Sequence, residues 1–100
     1  MTLTIAEDNG TLTGALAGRL DTAAAAQFAK DMQPLIDNAH RHILLDCERL
    51  TFISSSGLRL LLTLRKETQS KGGDITIKNV PAEVKQVFTI TGFYTLFHFV

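Results

Sequence analysis

Apolar and polar positions alternate at the start of the chain, on both sides of Asn9-Gly10. Alternation with a period of two is typical of a β-strand that has one buried face. Asn-Gly favours positive φ at both central positions of a two-residue turn. The segment "TLTIAEDNGTLTGALAG" therefore predicts a β-hairpin, with Leu3, Ile5 and Leu12 facing inward.

The pattern changes to helical spacing in "DTAAAAQFAKDMQPLIDNAH". Asp21 or Thr22 is suited to cap the first turn of this helix. Pro34 removes one backbone hydrogen bond, so the helix is expected to kink there, or to end early and restart. The predicted buried positions are Ala25, Phe28, Ala29, Met32, Leu35 and Ile36.

The run "HILLDC" is apolar without alternation, which indicates a central strand covered on both faces. The strand is expected to end near Cys47, and a second helix to begin at the serines of "LTFISSSGLRLLLTL". Gly72-Gly73 would end this helix. Its apolar arc contains Leu58, Leu60, Leu61, Leu62 and Leu64. Its polar side contains Arg59, Thr63, Lys66 and Ser70.

The remaining sequence predicts one more strand and one more helix. "DITIKN" alternates as a strand does, Pro81 suits the start of a helix that reaches Ile90, and Gly92 is a stop signal. The tail "LFHFV" is expected to form an edge strand or a packing segment. The order β-β-α-β-α-β-α predicts an α/β fold with parallel strand pairs, as one domain over residues 1–100.

Composition excludes several classes of protein. The chain has 100 residues, with 10 Lys and Arg against 10 Asp and Glu, which excludes the basic excess of a nucleic-acid binder. The single cysteine, Cys47, cannot form an intrachain disulfide and is expected to be a buried thiol. The sequence shows no signal-peptide pattern and no apolar run of about 18 residues, so we expect a cytoplasmic protein without membrane segments.

The serine triplet invites two interpretations. In the first, Ser54 or Ser55 only caps the helix, while Gly57 leaves room for another backbone to approach. Alternatively, one hydroxyl is a phosphorylation switch, since a phosphate adds a charge of about −1.5 to −2 at neutral pH. A helix N-terminus tolerates that charge, whereas a partner surface packed over the same turn would not.

The chain contains "GRLDTAAA" at Gly18–Ala25, "LTFISSSGLRLLL" and "TGFYTLFHF" at Thr91–Phe99. These three separated segments resemble the STAS domain family of anti-sigma factor antagonists. The family usually has Asp-Ser-Ser-Gly-Leu after a central strand, so Ser54 stands where Asp is typical. The resemblance implies a STAS-like mixed sheet in a single layer with helices packed on it.

The resemblance further implies a binding protein without catalysis, cofactor or metal. Its partner would be an anti-sigma factor of serine-kinase-like fold, with phosphorylation at Ser55, or alternatively at Ser54, switching binding off. A phosphatase would restore binding, and the chain would be a monomer or weak dimer. The alternative is a non-phosphorylated STAS-like subunit of a larger lipid-transport or stress complex. The implied partner-binding residues are Asp21, Thr22, Ser54, Ser55, Ser56, Gly57, Arg59 and Thr63.

Other chemistry has weaker support in the sequence. A nucleophilic serine needs a base, but none of the three histidines, His40, His42 and His98, has an obvious acid partner, and the G-x-S-x-G elbow is absent. His40 and His42 suggest a metal pair only weakly. Charges after the central strand could belong to a small enzyme or ligand binder with a pocket at the sheet edge. These charges are Asp46, Glu48 and Arg49.

Overall fold

A computed structural model describes all residues of the chain, Met1–Val100. It confirms the predicted α/β architecture, with a five-stranded sheet in the order β1-β2-β3-β4-β5. The strands are β1 (Thr2–Asp8), β2 (Thr11–Leu20), β3 (His42–Ile53), β4 (Asp74–Lys78) and β5 (His98–Phe99). The helices are α1 (Thr22–Asp31), α2 (Gln33–Asp37), α3 (Ser55–Lys71) and α4 (Ala82–Ile90), followed by a 3-10 turn at Tyr94–Leu96.

The hairpin forms as predicted at the amino terminus. Asp8 pairs with Thr11 across the turn, and Asn9 and Gly10 have φ of 50° and 83°. β1 and β2 are antiparallel, whereas the β2–β3, β3–β4 and β4–β5 pairs are parallel. The sheet is therefore mixed, with its one antiparallel pair at the β1 edge.

Pro34 separates two helices rather than kinking one. α1 ends at Asp31, and α2 starts at Gln33 with Pro34 in its first turn. Proline fits there because the first N–H groups of a helix have no intrahelical partner. Met32, between the two helices, and Leu35 in α2 are both buried, so the break lies against the core.

The prediction that the central strand ends near Cys47 is wrong. β3 runs on to Ile53 and pairs with β2 over its length, with register shifts between Ala15 and Ala17 and between Gly18 and Arg19. In both places β3 contains one more residue than β2 between paired positions, as in a β-bulge. These insertions disturb the alternation that would otherwise mark the strand in the sequence.

The expectation that β3 is covered on both faces is also wrong. Ile43, Leu45 and Cys47 are fully buried on the helix side, while Leu44 and Asp46 between them are only half-buried. β2 shows the same alternation, and we call the less buried side the outer face. Leu44 lies there opposite Thr13 on β2 and Thr76 on β4.

The carboxyl-terminal segment completes the core. The Phe88 ring packs edge-on against Phe97 and Phe99, with ring centroids 6.0 Å and 5.2 Å away, and Tyr94 stacks on Phe99 at 4.7 Å. The tail thus contributes both a short edge strand and packing, as predicted. No helix in the fold combines the length and the apolar character needed to span a membrane.

Candidate functional site

β2 and β3 end side by side at one edge of the sheet. Leu20 pairs with Ile53, and the N–H of Ser54 donates to the carbonyl oxygen of Leu20 at 2.9 Å. Because the two strands are parallel, the residues that follow them meet at the same edge. Asp21 and Ser54 therefore occupy neighbouring positions, each directly before a helix.

Asp21 and Ser54 cap their helices with the same geometry. A carboxylate oxygen of Asp21 accepts from the N–H of Ala24 at 2.8 Å, and its carbonyl accepts from Ala25 at 3.0 Å. The Ser54 hydroxyl oxygen accepts from the N–H of Gly57 at 3.2 Å, and its carbonyl accepts from Leu58 at 2.9 Å. Two helices, α1 and α3, therefore begin at this edge. In each of them the first-turn N–H groups have no intrahelical partner.

The three serines have different roles in this turn. Ser54 is half-buried and its oxygen serves as the cap, whereas Ser55 is the first residue of α3 and its side chain is exposed. Ser56 is half-buried. Of the two candidate phosphorylation sites, Ser55 is thus the hydroxyl that stands in solvent.

Gly57 faces the core instead of the solvent. A Cβ built on Gly57 would lie 2.7 Å from Cγ of Leu20 and 3.0 Å from Cγ1 of Ile53. The space expected to admit another backbone is therefore filled by these two side chains. The small size of Gly57 lets α3 begin directly above the ends of β2 and β3.

The remaining predicted partner-binding residues lie on exposed surface near the turn. Thr22 is exposed in the first turn of α1, and Arg59 and Thr63 lie on the exposed side of α3. The Thr63 hydroxyl donates to the carbonyl oxygen of Arg59 at 3.0 Å. The structure thus brings Asp21, Thr22 and the serines together at one edge, with Arg59 and Thr63 continuing along α3.

An arginine beside this edge was missed in the sequence. Arg19 pairs with Phe52 across the strands, one position before Leu20 and Ile53, and its guanidinium carbon lies 4.3 Å from the ring centroid of Phe52. Arg19 is exposed. The contact between Arg19 and Phe52 can be inferred only once the parallel pairing of β2 with β3 is known, because the two residues are far apart in the chain.

The charges around Asp46 lie within β3, not in a loop after it. One carboxylate oxygen of Asp46 accepts from the N–H of Glu48 at 3.1 Å and from the side-chain amide of Asn79 at 3.3 Å. Asp46, Glu48 and Arg49 border an open depression that contains no histidine. The convergent histidine and carboxylate that would favour a small enzyme are not found there.

The histidines and the cysteine have separate environments. His42 contacts the carboxylate of Asp74 where β3 and β4 begin, and no group of three His, Cys, Asp or Glu side chains is arranged to hold a metal. Cys47 is a buried thiol, as predicted. Desolvation by burial, with a further contribution from the charge of Asp46, raises the pKa of Cys47 to about 12.

Comparison with known proteins agrees with this architecture. The family model described as the STAS domain matches residues 2–100. BtrV of Bordetella bronchiseptica, named as a candidate anti-sigma factor antagonist, is 33% identical over 97 residues, covering 97% of this chain and 84% of BtrV. The anti-sigma F factor antagonist of Paenibacillus polymyxa is 28% identical over 88 residues, covering 87% of this chain and 75% of that protein.

Solved structures of the anti-sigma factor antagonist SpoIIAA share the fold. The unphosphorylated form superposes with a TM-score of 0.78 at 24% identity, covering 99% of this chain and 88% of that one. SpoIIAA from Bacillus in its phosphorylated form gives a TM-score of 0.72 at 24% identity, covering 99% of this chain and 91% of that one.

Proposed function

Because this chain belongs to the STAS domain family, we propose that it acts as an anti-sigma factor antagonist. In its unphosphorylated form it would bind an anti-sigma factor of serine-kinase-like fold and so release a sigma factor. The partner would transfer a phosphoryl group from ATP to the hydroxyl of Ser55, and the phosphorylated chain would dissociate. The chain itself is a regulatory binding protein, in keeping with the names of its relatives.

The observation that carries this proposal is that Ser54 and Ser55 have different structural roles. Ser54 holds the helix cap through its oxygen, so the exposed hydroxyl of Ser55 is free to be modified. Phosphorylation of Ser54 would instead compete with its bond to the N–H of Gly57. For this reason we assign the modification to Ser55 and not to Ser54.

A phosphate on Ser55 is compatible with the fold. It would stand at the start of α3, where free first-turn N–H groups and the positive end of the helix dipole favour an anion. Ser54 in place of the usual Asp leaves one negative charge fewer beside it. We therefore expect phosphorylation to leave the unfolding free energy unchanged or slightly higher.

The same phosphate would be unfavourable in a complex. A stable contact over this turn buries at least about 1,200 Å² in total, so the phosphate would lose its water. Placing it against carboxylates of a partner costs several kcal/mol, and about 4 kcal/mol corresponds to a thousandfold loss of affinity. The modification would thereby act on binding without acting on folding.

A pull-down from the native host tests the proposal with Ser55→Ala and Ser55→Asp as baits and mass spectrometry as the readout. The Ala form should retain a kinase-like anti-sigma factor, and the Asp form should lose it. Ser70→Asp is the matched control, because Ser70 is exposed near the far end of the same helix. Equal capture by both Ser55 variants would refute the switch.

Phosphopeptide mapping of the protein purified from its host distinguishes the switched antagonist from a constitutive subunit of a larger complex. Phosphate on Ser55 is expected for the switched antagonist. A permanently unmodified chain whose assembly is lost in Ser55→Ala would indicate the constitutive subunit of a larger complex instead.

A further inference from the structure

β1 forms a long free edge of the sheet. It is the outermost strand, with seven residues, and its pairing with β2 continues without a register shift from Thr2 to Asp8. The opposite edge, β5, has only two residues. A long and regular edge strand presents a row of backbone groups to which another strand can bind.

The hairpin geometry identifies the backbone groups that are free. Asp8 and Thr11 flank a two-residue turn, so they exchange both of their hydrogen bonds, and every second residue back to Thr2 does the same. None of the backbone hydrogen bonds made outside the regular elements involves β1. The residues whose N–H and C=O groups point away from the sheet are Leu3, Ile5 and Glu7.

β1 lacks the features that usually protect an edge strand. It contains no proline, lysine or bulge, and its acidic residues stand together at one end. Leu3 and Ile5 lie half-buried at the margin of the core. The carboxylate of Glu7 is paired with the guanidinium of Arg41 at 3.1 Å, which lowers its repulsion of an approaching strand.

We propose that β1 binds the β1 strand of a second copy of this chain, antiparallel, with the two-fold axis at Ile5. In this register Ile5 faces its own copy and Leu3 faces Glu7, and these pairs would exchange roughly six backbone hydrogen bonds. The two sheets become one continuous sheet, and Leu3 and Ile5 lose part of their remaining exposure. This inference does not depend on the proposed function.

The self-complementarity of the strand favours a second copy as the occupant. A two-fold axis relates equivalent surfaces, so the strand must pair with itself in reverse. An axis at Glu7 would set that carboxylate against its own copy. An axis at Leu3 or Thr4 would leave the free groups of Glu7 without a partner inside β1, and an axis at Ala6 would do the same to those of Leu3. The axis at Ile5 places Asp8 opposite Thr2, so no like charges face each other.

The expected dimer is weak and depends on concentration. Pairing through a single strand from each copy buries less than the roughly 1,200 Å² typical of stable complexes. β1 pairs only with the Thr11–Ala17 part of β2, so Asp21 and Ser55 stay outside the contact. Dimerisation and binding at the serine turn can therefore be measured separately.

Charge reversal at the two-fold axis tests this register. In sedimentation from about 10 µM to about 1 mM, the wild-type chain should self-associate, a range that spans weak binding. Ile5→Lys and Ile5→Glu should each weaken self-association at least about tenfold, because like charges meet at the axis. An equimolar mixture of these two variants should associate again. Gln86→Lys is the control, since Gln86 is exposed on α4, outside β1, and the substitution adds the same charge.

Amide hydrogen exchange of the wild-type chain gives a second measurement that needs no substitution. The amides of Leu3, Ile5 and Glu7 should become protected as concentration rises, while those of Thr4 and Ala6 are already protected by β2. If a charged variant does not fold, the protection of these amides in the wild-type chain still shows whether β1 pairs with a second copy. A monomer at the highest concentration, or self-association that both Ile5 variants retain, would overturn the proposal.

Discussion

The hydroxyl of Ser54 stabilises the start of α3, so its removal should be measurable. Ser54→Ala deprives the N–H of Gly57 of its acceptor and is expected to cost about 1 kcal/mol of unfolding free energy. Ser54→Asp should leave stability within a few tenths of a kcal/mol of the wild type, since Asp is an equally good cap. Urea unfolding of the purified variants measures both.

Ser70→Ala provides the baseline for this comparison. Ser70 is exposed and caps nothing, so its truncation should change stability by less than about 0.5 kcal/mol. A Ser54→Ala variant as stable as Ser70→Ala would show that the observed bond contributes nothing, and the division of roles between Ser54 and Ser55 would lose its basis.

Cys47 should make stability depend on alkaline pH. Its pKa is raised from 9.0 to about 12 in the fold, so the unfolded chain ionises first and stability falls as pH rises from 9 towards 12. The slope is about 1.4 kcal/mol per pH unit for one group. Chemical unfolding of the wild type and Cys47→Ala between about pH 8 and 11 should show this extra slope in the wild type alone.

Thiol labelling gives an independent check on Cys47. Since the thiolate is the reactive form, the folded protein should label far more slowly with iodoacetamide than the protein in denaturant. Parallel pH profiles for the two proteins, or fast labelling of the native state, would show that the thiol is more accessible than its burial implies.

The individual caps could be narrowed down from the sequence but not assigned. Asp, Ser and Thr are all good capping residues, so the sequence allows either Asp21 or Thr22 as the cap of α1, and either Ser54 or Ser55 as the cap of α3. What decides between them is the last strand pair, Leu20 with Ile53, which fixes where each helix must begin. That pairing joins distant parts of the chain and is not encoded in the local pattern.

At the scale of elements, the contact between α3 and the strand ends should be sensitive to one added methyl group. Gly57→Ala would place Cβ 2.7 Å from the fully buried side chain of Leu20, which has little room to move. Overpacking of this kind typically costs about 1–3 kcal/mol. Thermal unfolding measures the loss, and backbone amide shifts of Ser54 and Ser55 should report a displaced helix start.

A second substitution isolates the role of packing at Gly57. Leu20→Val removes bulk from the side chain that Gly57 contacts, so it should recover part of the stability of Gly57→Ala when the two are combined. If their effects simply add, Gly57 does not act through its contact with Leu20.

Most elements could be predicted because their signals are local. Asn9-Gly10 marks the hairpin, Pro34 the helix break and Gly72 the end of α3, and each acts on its immediate neighbours. The length of β3 could not be predicted, since its two insertions relative to β2 put the polar residues Arg49 and Thr51 where alternation would place apolar ones. Bulges are defined by the partner strand, which a single segment does not reveal.

At the scale of the whole molecule, the helices cover only one face of the sheet, and this explains why β3 was wrongly predicted to be buried on both faces. Leu44 has an apolar side chain on the outer face, so "HILLDC" reads as uniformly apolar although only every second residue is buried. Small neighbours on the outer face, such as Thr13 and Thr76, leave Leu44 half-buried without any covering helix. Periodicity cannot separate this arrangement from a strand buried on both faces.

Neighbouring leucines of β3 provide a direct test of this one-layer architecture. Leu45 is fully buried among the helices, so Leu45→Ala should leave a cavity and cost about 2–5 kcal/mol. Leu44→Ala removes a half-buried side chain from an open face, so it creates no cavity. It should lower the unfolding free energy by only about 1 kcal/mol. Urea unfolding at low protein concentration measures the difference on the monomer. Equal losses at the two positions would mean that the outer face is covered in solution, and that the sheet has two buried faces after all.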